Sequence, residues 1–407
     1  MKRVLMVGYW YPPAVGAAAG RTSGLARALP DYGWQPTVLT AGIDDPHDPA
    51  YVRRVRDPLA AEVRFSDYEW PELAGRRRSA ARSLLATDRF FLWRRRAVRA
   101  ALRTLADRPH AIWATFPPAS AAAAGWRLSE RFSAPLVLDF RDLWFGPGGY
   151  TPATALHGWL QRRLEHRVTR AAAGMVAVSD RMAGFLSDHY HIARARVAVI
   201  TNGFDAAQCP LGEAPRRAGE FVLSHVGTVI PRNRPDLFFR AVAGCPRIET
   251  WRREGLRIRF VGNLGRATAG RLELGGVVET TGLVSHAQAW RETRAASALL
   301  LLVGDYVGQW GHNAKLFEYL RSGRPILCIE ETTGSNDRRL LEQFAPQRCV
   351  FGSLKDAASV VDAIERTREL AGRLPAAAND ADHRLDVFDH RALTQGLAAL
   401  LDQVTCG

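Results

Sequence analysis

A lysine and a glutamate three residues apart, Lys315 and Glu318, lie in a stretch whose residue types suit a phosphate and a sugar hydroxyl together. Residues 311–322 read as a helix, because a turn-like 304–310 precedes them, Gly323 is a good stop and 325–329 is strand-like. The first turn of a helix leaves backbone N–H groups unpaired at the positive end of its dipole, which favours an anion. The amides of Asn313, Ala314 and Lys315, with the Lys315 ammonium, therefore suit phosphate oxygens. Glu318 shares that face at i and i+3 and could accept from vicinal ribose hydroxyls, as acids do in dinucleotide folds. The competing reading is a plain Lys–Glu pair on a solvated helix face. Composition weighs against it: of 55 basic residues, lysine occurs at positions 2, 315 and 355 alone, so arginine is the default cation here.

Further residues able to handle anions or sugars follow strand-like runs, where open α/β sheets place their ligands. The loop 8–16 leads through Gly16 into a helix carrying Arg21. It lacks the Gly-x-Gly-x-x-Gly spacing of a redox dinucleotide site, although Gly16 would let a ligand reach backbone amides. A second loop holds Asp139, Arg141 and Asp142. There Arg141 could bind a phosphate or carboxylate and either acid could orient a hydroxyl, with an internal Asp–Arg brace as the equal alternative. A third runs from Gly227 and Thr228 to Arg232 and Arg234. No spacing announces a hydrolase triad, and the 11 histidines form no ligand cluster. The cysteines at 209, 245, 328, 349 and 406 are odd in number and scattered, suggesting neither a disulfide framework nor a zinc site. A reducing, cytoplasmic setting is expected.

The elements that must position these residues alternate almost from end to end. Strand-like runs at 4–7, 37–40, 62–65, 111–115, 136–140, 174–179 and 197–201 are separated by Ala/Leu/Arg helical stretches, and a second series lies at 221–226, 257–261, 277–281, 298–303, 325–329 and 348–351. This is the βαβ pattern of parallel sheets, and 407 residues exceed one ordinary core. The expected division is an N-terminal domain over 1–205, a C-terminal domain over 219–385 and a terminal helical segment over 386–407. Segment 204–219, with Pro210, Gly212, Pro215 and Gly219, has the most linker-like composition. Gly8 and Pro12-Pro13 cut short the first apolar run, so a signal peptide is not expected, and no run approaches a membrane span.

A net charge of +14 points to an anionic partner. Ten arginines against the single acid Asp88 lie within 76–103, beside Phe90-Phe91-Leu92-Trp93. Positions 84, 91, 98, 102 and 105 form an apolar stripe among these arginines. Such a helix suits an anionic membrane surface, or it packs on the sheet as an ordinary core helix. Nucleic acid is excluded as a partner for want of any reading module.

Taken in order, several motifs resemble the family 4 glycosyltransferases of the GT-B fold, in particular the bacterial exopolysaccharide and cell-surface glycan type. They are Tyr11-Pro12-Pro13 through Gly16 to Arg21, Thr115-Phe116-Pro117-Pro118, Asp139-Phe140-Arg141-Asp142, Thr201-Asn202-Gly203-Phe204-Asp205, His225-Val226-Gly227-Thr228, Gly282-Leu283-Val284-Ser285-His286 and the segment with Lys315 and Glu318. The resemblance implies two Rossmann-like α/β domains facing a central cleft, with acceptor on the first, donor on the second and the terminal helix returning to the first. It implies transfer of a sugar from a nucleotide diphosphate, UDP more than GDP, with retention and with neither metal nor cofactor. The acceptor would be lipid-linked or a small metabolite. Glu318 takes the place of the ribose-binding glutamate, Leu283 and Val284 that of the base-contacting loop, and Gly16 that of the glycine near the phosphates. Arg232 and Arg234 stand in for the arginine that the family carries where this chain has Thr228. Lys315 holds the leaving phosphate, and Arg141 with Asp142 the reacting sugar or acceptor. Three departures stand out: Thr228 stands in the place of the family's arginine, Trp310 occupies the position of the first glutamate of a Glu-x7-Glu pattern, and the places for a catalytic histidine hold Phe116 and Arg141. Same-fold alternatives are an epimerase and a non-catalytic nucleotide-sugar binder.

Overall fold

The computed structural model describes residues 1–14, 16–42, 45–57, 88, 90–149, 152, 154–212, 219–264, 276–374 and 382–406. The expected strand at 62–65 and most of the arginine-rich segment before residue 90 lie outside them. The chain forms two compact units, Met1–Thr201 with His390–Gly407, and Asn202–Asp389.

In the first unit the strands are β1 Lys2–Val7, β2 Trp34–Ala41, β3 Val52–Val55, β4 Ala111–Phe116, β5 Leu136–Phe140, β6 Ala172–Ala177 and β7 Val197–Val199. They form one parallel sheet in the order β3-β2-β1-β4-β5-β6-β7. The edge strand β3 was not expected, because Val52-Arg53-Arg54-Val55 is short and half charged. Helix His390–Cys406 closes the unit, inserting Leu397, Leu400 and Leu401 among Leu25, Val176 and Ile200.

The second unit repeats the layout with β8 Phe221–Val226, β9 Leu256–Val261, β10 Val278–Gly282, β11 Ala298–Val303, β12 Ile326–Glu330 and β13 Cys349–Ser353, again all parallel, in the order β10-β9-β8-β11-β12-β13. Central β11, Ala-Leu-Leu-Leu-Leu-Val, is buried at every residue, as a strand covered on both faces must be. Near the edge, β9 alternates, and its Arg259 pairs with Glu279 and Glu292 at 2.9 and 3.1 Å.

Two local expectations are corrected. Residues 305–310 are not a plain turn but a short helix, Asp305–Trp310, with Gly308 packed against Ser335. Nor is the start of 204–219 linker-like. Phe204 and Cys209 are fully buried, and the carbonyls of Cys209 and Pro210 accept hydrogen bonds from Arg321 Nε and Trp290 Nε1, at 2.8 Å each. Proline and glycine there shape a packed strap, and its continuation through 213–218 is outside the described residues.

Candidate active site

Both sheets have the strand order whose direction of winding reverses once, between β1 and β4 in the first unit and between β8 and β11 in the second. At such a reversal the loops leaving the two strands diverge and open a crevice at their carboxyl ends. In the second unit these loops begin with Gly227-Thr228 and Gly304-Asp305. The helix Ala314–Ser322 starts beside them.

Its sequence explains its seating. Leu316, Phe317, Tyr319 and Leu320 are buried on the inner face, and Gly323, at φ 71°, stops the helix in the left-handed conformation. Tyr319 Oη accepts a 2.7 Å hydrogen bond from the Val226 amide, fixing the helix to the end of β8. Lys315 and Glu318 fall beside this face, partly buried. Each bonds elsewhere rather than to the other. Lys315 Nζ lies 2.7 Å from His225 Nε2 and 3.3 Å from the Thr228 carbonyl, while Glu318 Oε1 lies 3.0 Å from His286 Nε2.

The His225 tautomer follows from its partners. A carbonyl can only accept, so the 3.0 Å contact of Nδ1 with Leu300 O places the proton on Nδ1 and leaves Nε2 to accept from Lys315. Burial, and then the Lys315 charge, hold the His225 pKa well below its ordinary range. Burial likewise pulls the Lys315 ammonium down to about 7, against the attraction of Asp337 and Glu318. Such a group takes up a proton readily when an anion arrives. Gly227 makes this placement possible: its φ is 110°, and a Cβ there would sit 3.3 Å from Lys315 Cε.

Asn313 has a different place from the one expected. Its amide donates to Asp337 Oδ1 and Oδ2 at 3.1 and 3.2 Å, its Nδ2 donates to Asp337 at 2.6 Å, and its Oδ1 accepts from Asn233 at 3.0 Å. Fully buried Asp337 thus anchors the start of the helix, and Asn313 holds the frame. The amides of Ala314 and Lys315, which helix geometry leaves without an intrahelical acceptor, are the ones suited to a phosphate.

The arginines of the third loop separate in role. Arg234 Nη1 bonds Glu331 at 2.7 Å and its Nε bonds Asp236 at 3.2 Å, while Glu331 also accepts from the Asp305 amide. Arg232 instead lies over the Tyr306 ring, its Cζ 4.3 Å from the ring centroid. The loop carrying both presses on Gly304, where a Cβ would fall 1.7 Å from the Arg232 carbonyl oxygen. Leu283, half exposed, and Val284 lie between β10 and helix His286–Ala295. Trp310 is buried.

Gly16, Arg141 and Asp142 belong to the first unit. Gly16, at φ 133°, is the N-cap of helix Ala17–Ala28. Asp139 is braced by Arg21 rather than by Arg141. Arg21, 3% exposed, bonds Asp139, 0% exposed, through Nε and Nη2 and also reaches the carbonyls of Ile200 and Thr201. Asp139 accepts from Thr115 Oγ1, and Arg141 Nε donates to that same hydroxyl at 3.0 Å. Arg141 also bonds the Pro117 carbonyl. Phe116 stacks on Trp144 with centroids 4.6 Å apart. Sequence reasoning missed His225, Asp337, Asn233, Tyr306 and Glu331. His225 alone carried a signal, its place immediately before Val226-Gly227-Thr228.

Two parallel sheets of Rossmann-type winding are the architecture of the GT-B fold. Residues 16–203 match the glycosyl transferase 4-like domain. The D-inositol 3-phosphate glycosyltransferase of Kineococcus radiotolerans is 31% identical over 155 residues, an alignment spanning about a third (34%) of each chain. Among solved structures, sucrose-phosphate synthase of Thermosynechococcus elongatus superposes with a TM-score of 0.68 at 16% identity, covering 100% of both chains. Anabaena HepE in complex with UDP-glucose gives 0.65 at 16% identity, covering 99% of this chain and 100% of that one. Residues 16–203 thus carry the domain match, and the chain as a whole shares the fold of these glycosyltransferases.

Proposed function

We infer that the protein transfers a sugar from a nucleotide diphosphate to an acceptor, with retention of anomeric configuration and with UDP preferred over GDP. The observation that carries this is Lys315, an ammonium held on neutral His225 at the β8/β11 reversal, beside the amides of Ala314 and Lys315. When the anomeric C–O bond breaks, charge collects on the leaving diphosphate, and preorganised donors are what lower such a barrier. Lys315 and the two amides serve the phosphates, together with Arg232. Arg234, bound to Glu331 and Asp236, steadies that loop. Glu318 accepts from the ribose, and Leu283 and Val284 flank the base. In retention on one face, the acceptor oxygen bonds to the anomeric carbon as the phosphate leaves, and the acceptor proton passes to that phosphate. No protein nucleophile or metal is then required. Arg141 and Asp142 serve the reacting sugar or the acceptor. The UDP-glucose complex of HepE supports the donor class by analogy.

Helix Phe91–Thr104 turns Trp93, Ala97 and Ala101 inward and leaves Leu92, Arg95, Arg96, Arg99, Leu102 and Arg103 exposed. Leu102 therefore lies off the buried face rather than on an inner stripe. This exposed row suits an anionic membrane and a lipid-linked acceptor. Among the described residues no helix is long and apolar enough to cross a membrane.

The test is incubation with a panel of nucleotide sugars, scoring release of the nucleotide, together with thermal shifts by UDP, GDP and TDP. Donor-dependent release with a UDP shift is expected, and no shift with any nucleotide overturns the reading. The second reading, a binder without transfer, is favoured by buried Trp310 and Phe116 at the family's glutamate and histidine positions. It predicts the UDP shift without release.

A further inference from the structure

Glu318 and His286 do not stand alone. The Sγ of Cys209, His286 Nε2 and a Glu318 carboxylate oxygen all lie within 4.8 Å of one another. The three come from separate elements of the second unit: the packed strap after Phe204, the first residue of helix His286–Ala295 and the second turn of helix Ala314–Ser322.

We propose that Cys209, His286 and Glu318 form an inhibitory site for a thiophilic divalent cation of the zinc type. Thiolate, imidazole and carboxylate are the donor set zinc prefers, and three protein ligands leave a fourth position for water. The triad is held in place before any metal arrives. Trp290, on the helix of His286, bonds the Pro210 carbonyl at 2.8 Å, and Arg321, on the helix of Glu318, bonds the Cys209 carbonyl at 2.8 Å. The Cys209 amide bonds the Asp205 carbonyl at 2.9 Å. Both flanking helices thus grip the strap within one residue of the thiol.

The surrounding charges fit a cation better than they fit the thiol's own ionisation. Burial, followed by the negative charge of Glu318, raises the Cys209 pKa, with Asp205 adding to this and Arg321 opposing it. A divalent ion offsets both leading effects: the S–H bond breaks, sulfur donates its electron pair to the metal and the proton leaves to solvent. His286 is 44% exposed and Glu318 26%, so the metal has a route from solvent, while Cys209 lies beneath them. Sequence spacing could not announce the site, because none of the ligands is local to another.

The consequence for activity rests on the ribose role of Glu318. A carboxylate bound to zinc cannot also accept from a ribose, so metal and donor compete. Metal binding itself does not depend on that role, which separates the two failures.

The protein as isolated, in a Cys406→Ser background that removes the exposed thiol, is titrated with Co2+ and then with Zn2+ against a chromogenic chelator. One equivalent is expected, with a near-ultraviolet thiolate-to-cobalt charge-transfer band that zinc displaces. The band disappears in Cys209→Ser, and uptake is lost in His286→Gln, with UDP-induced thermal shifts retained in Cys209→Ser as a check of folding. Zinc should raise the KM for the donor in the parent and leave it unchanged in Cys209→Ser. Absence of the band, or equal uptake by the parent and Cys209→Ser, overturns the site. Metal uptake with the expected band but without competition against the donor refutes the inhibitory role and the ribose assignment of Glu318, leaving the site.

Discussion

If Lys315 meets the diphosphate, donor binding must take up a proton, and affinity must fall as pH rises. In the unliganded protein burial holds the Lys315 pKa at about 7, below the ordinary lysine value of 10.5. A diphosphate beside the ammonium replaces lost solvation with opposite charge and restores the higher value. The sign follows directly. A group whose pKa is raised by binding contributes its full attraction below the unliganded pKa and loses it as pH climbs towards the liganded one. With values of about 7 and 10.5, uptake at pH 8 is about 0.9 proton per UDP bound. Between pH 7.5 and 9 the association constant should drop roughly 25-fold, in a range where the nucleotide's own phosphates are already ionised. Calorimetry in two buffers of different ionisation enthalpy measures the uptake, and repeating it across pH measures the slope. Lys315→Met should bind more weakly, without uptake and without slope. Affinity that stays flat across that range, or an equal slope in Lys315→Met, refutes the argument.

Removing one member of the buried Arg21–Asp139 pair leaves the other charge uncompensated. Asp139→Asn should therefore cost about 3–5 kcal/mol in urea unfolding, with much of the loss recovered in Arg21→Met/Asp139→Leu; a double variant no better than the single would show that the loss does not come from an uncompensated buried charge. The hydrogen bond to Glu318 raises the His286 pKa. Its contribution to stability is present below the ordinary value and lost as pH rises through the raised one, so an NMR titration of His286 should move downward in Glu318→Gln, and an unmoved curve would dissociate the pair.

Much of the scaffold was legible because its signals are local. An apolar run such as Ala298–Val303 cannot be exposed, and a glycine such as Gly323 stops a helix in a conformation that side chains disfavour. The edge strand Val52–Val55 escaped because four residues, two of them arginine, carry too little apolar pattern. The strap after Phe204 was misread because proline and glycine mark irregular backbone equally well when it is packed and when it is loose. At the candidate site, Lys315 and Glu318 stood out as types at a helical spacing, whereas Asp337 and Tyr306 carried no mark of their own.

From the sequence alone came the alternation of strands and helices, the helix bearing Lys315 and Glu318 and the clusters of arginine, since each depends on residues close together in the chain. Only the tertiary structure decided which partner each charge takes: Lys315 on His225, Arg21 rather than Arg141 on Asp139, Arg234 on Glu331, and Asn313 on Asp337. Strand order brings these groups together across long stretches of chain, and a buried charge is stabilised by the neighbour the sheet supplies rather than by the residue beside it in the sequence.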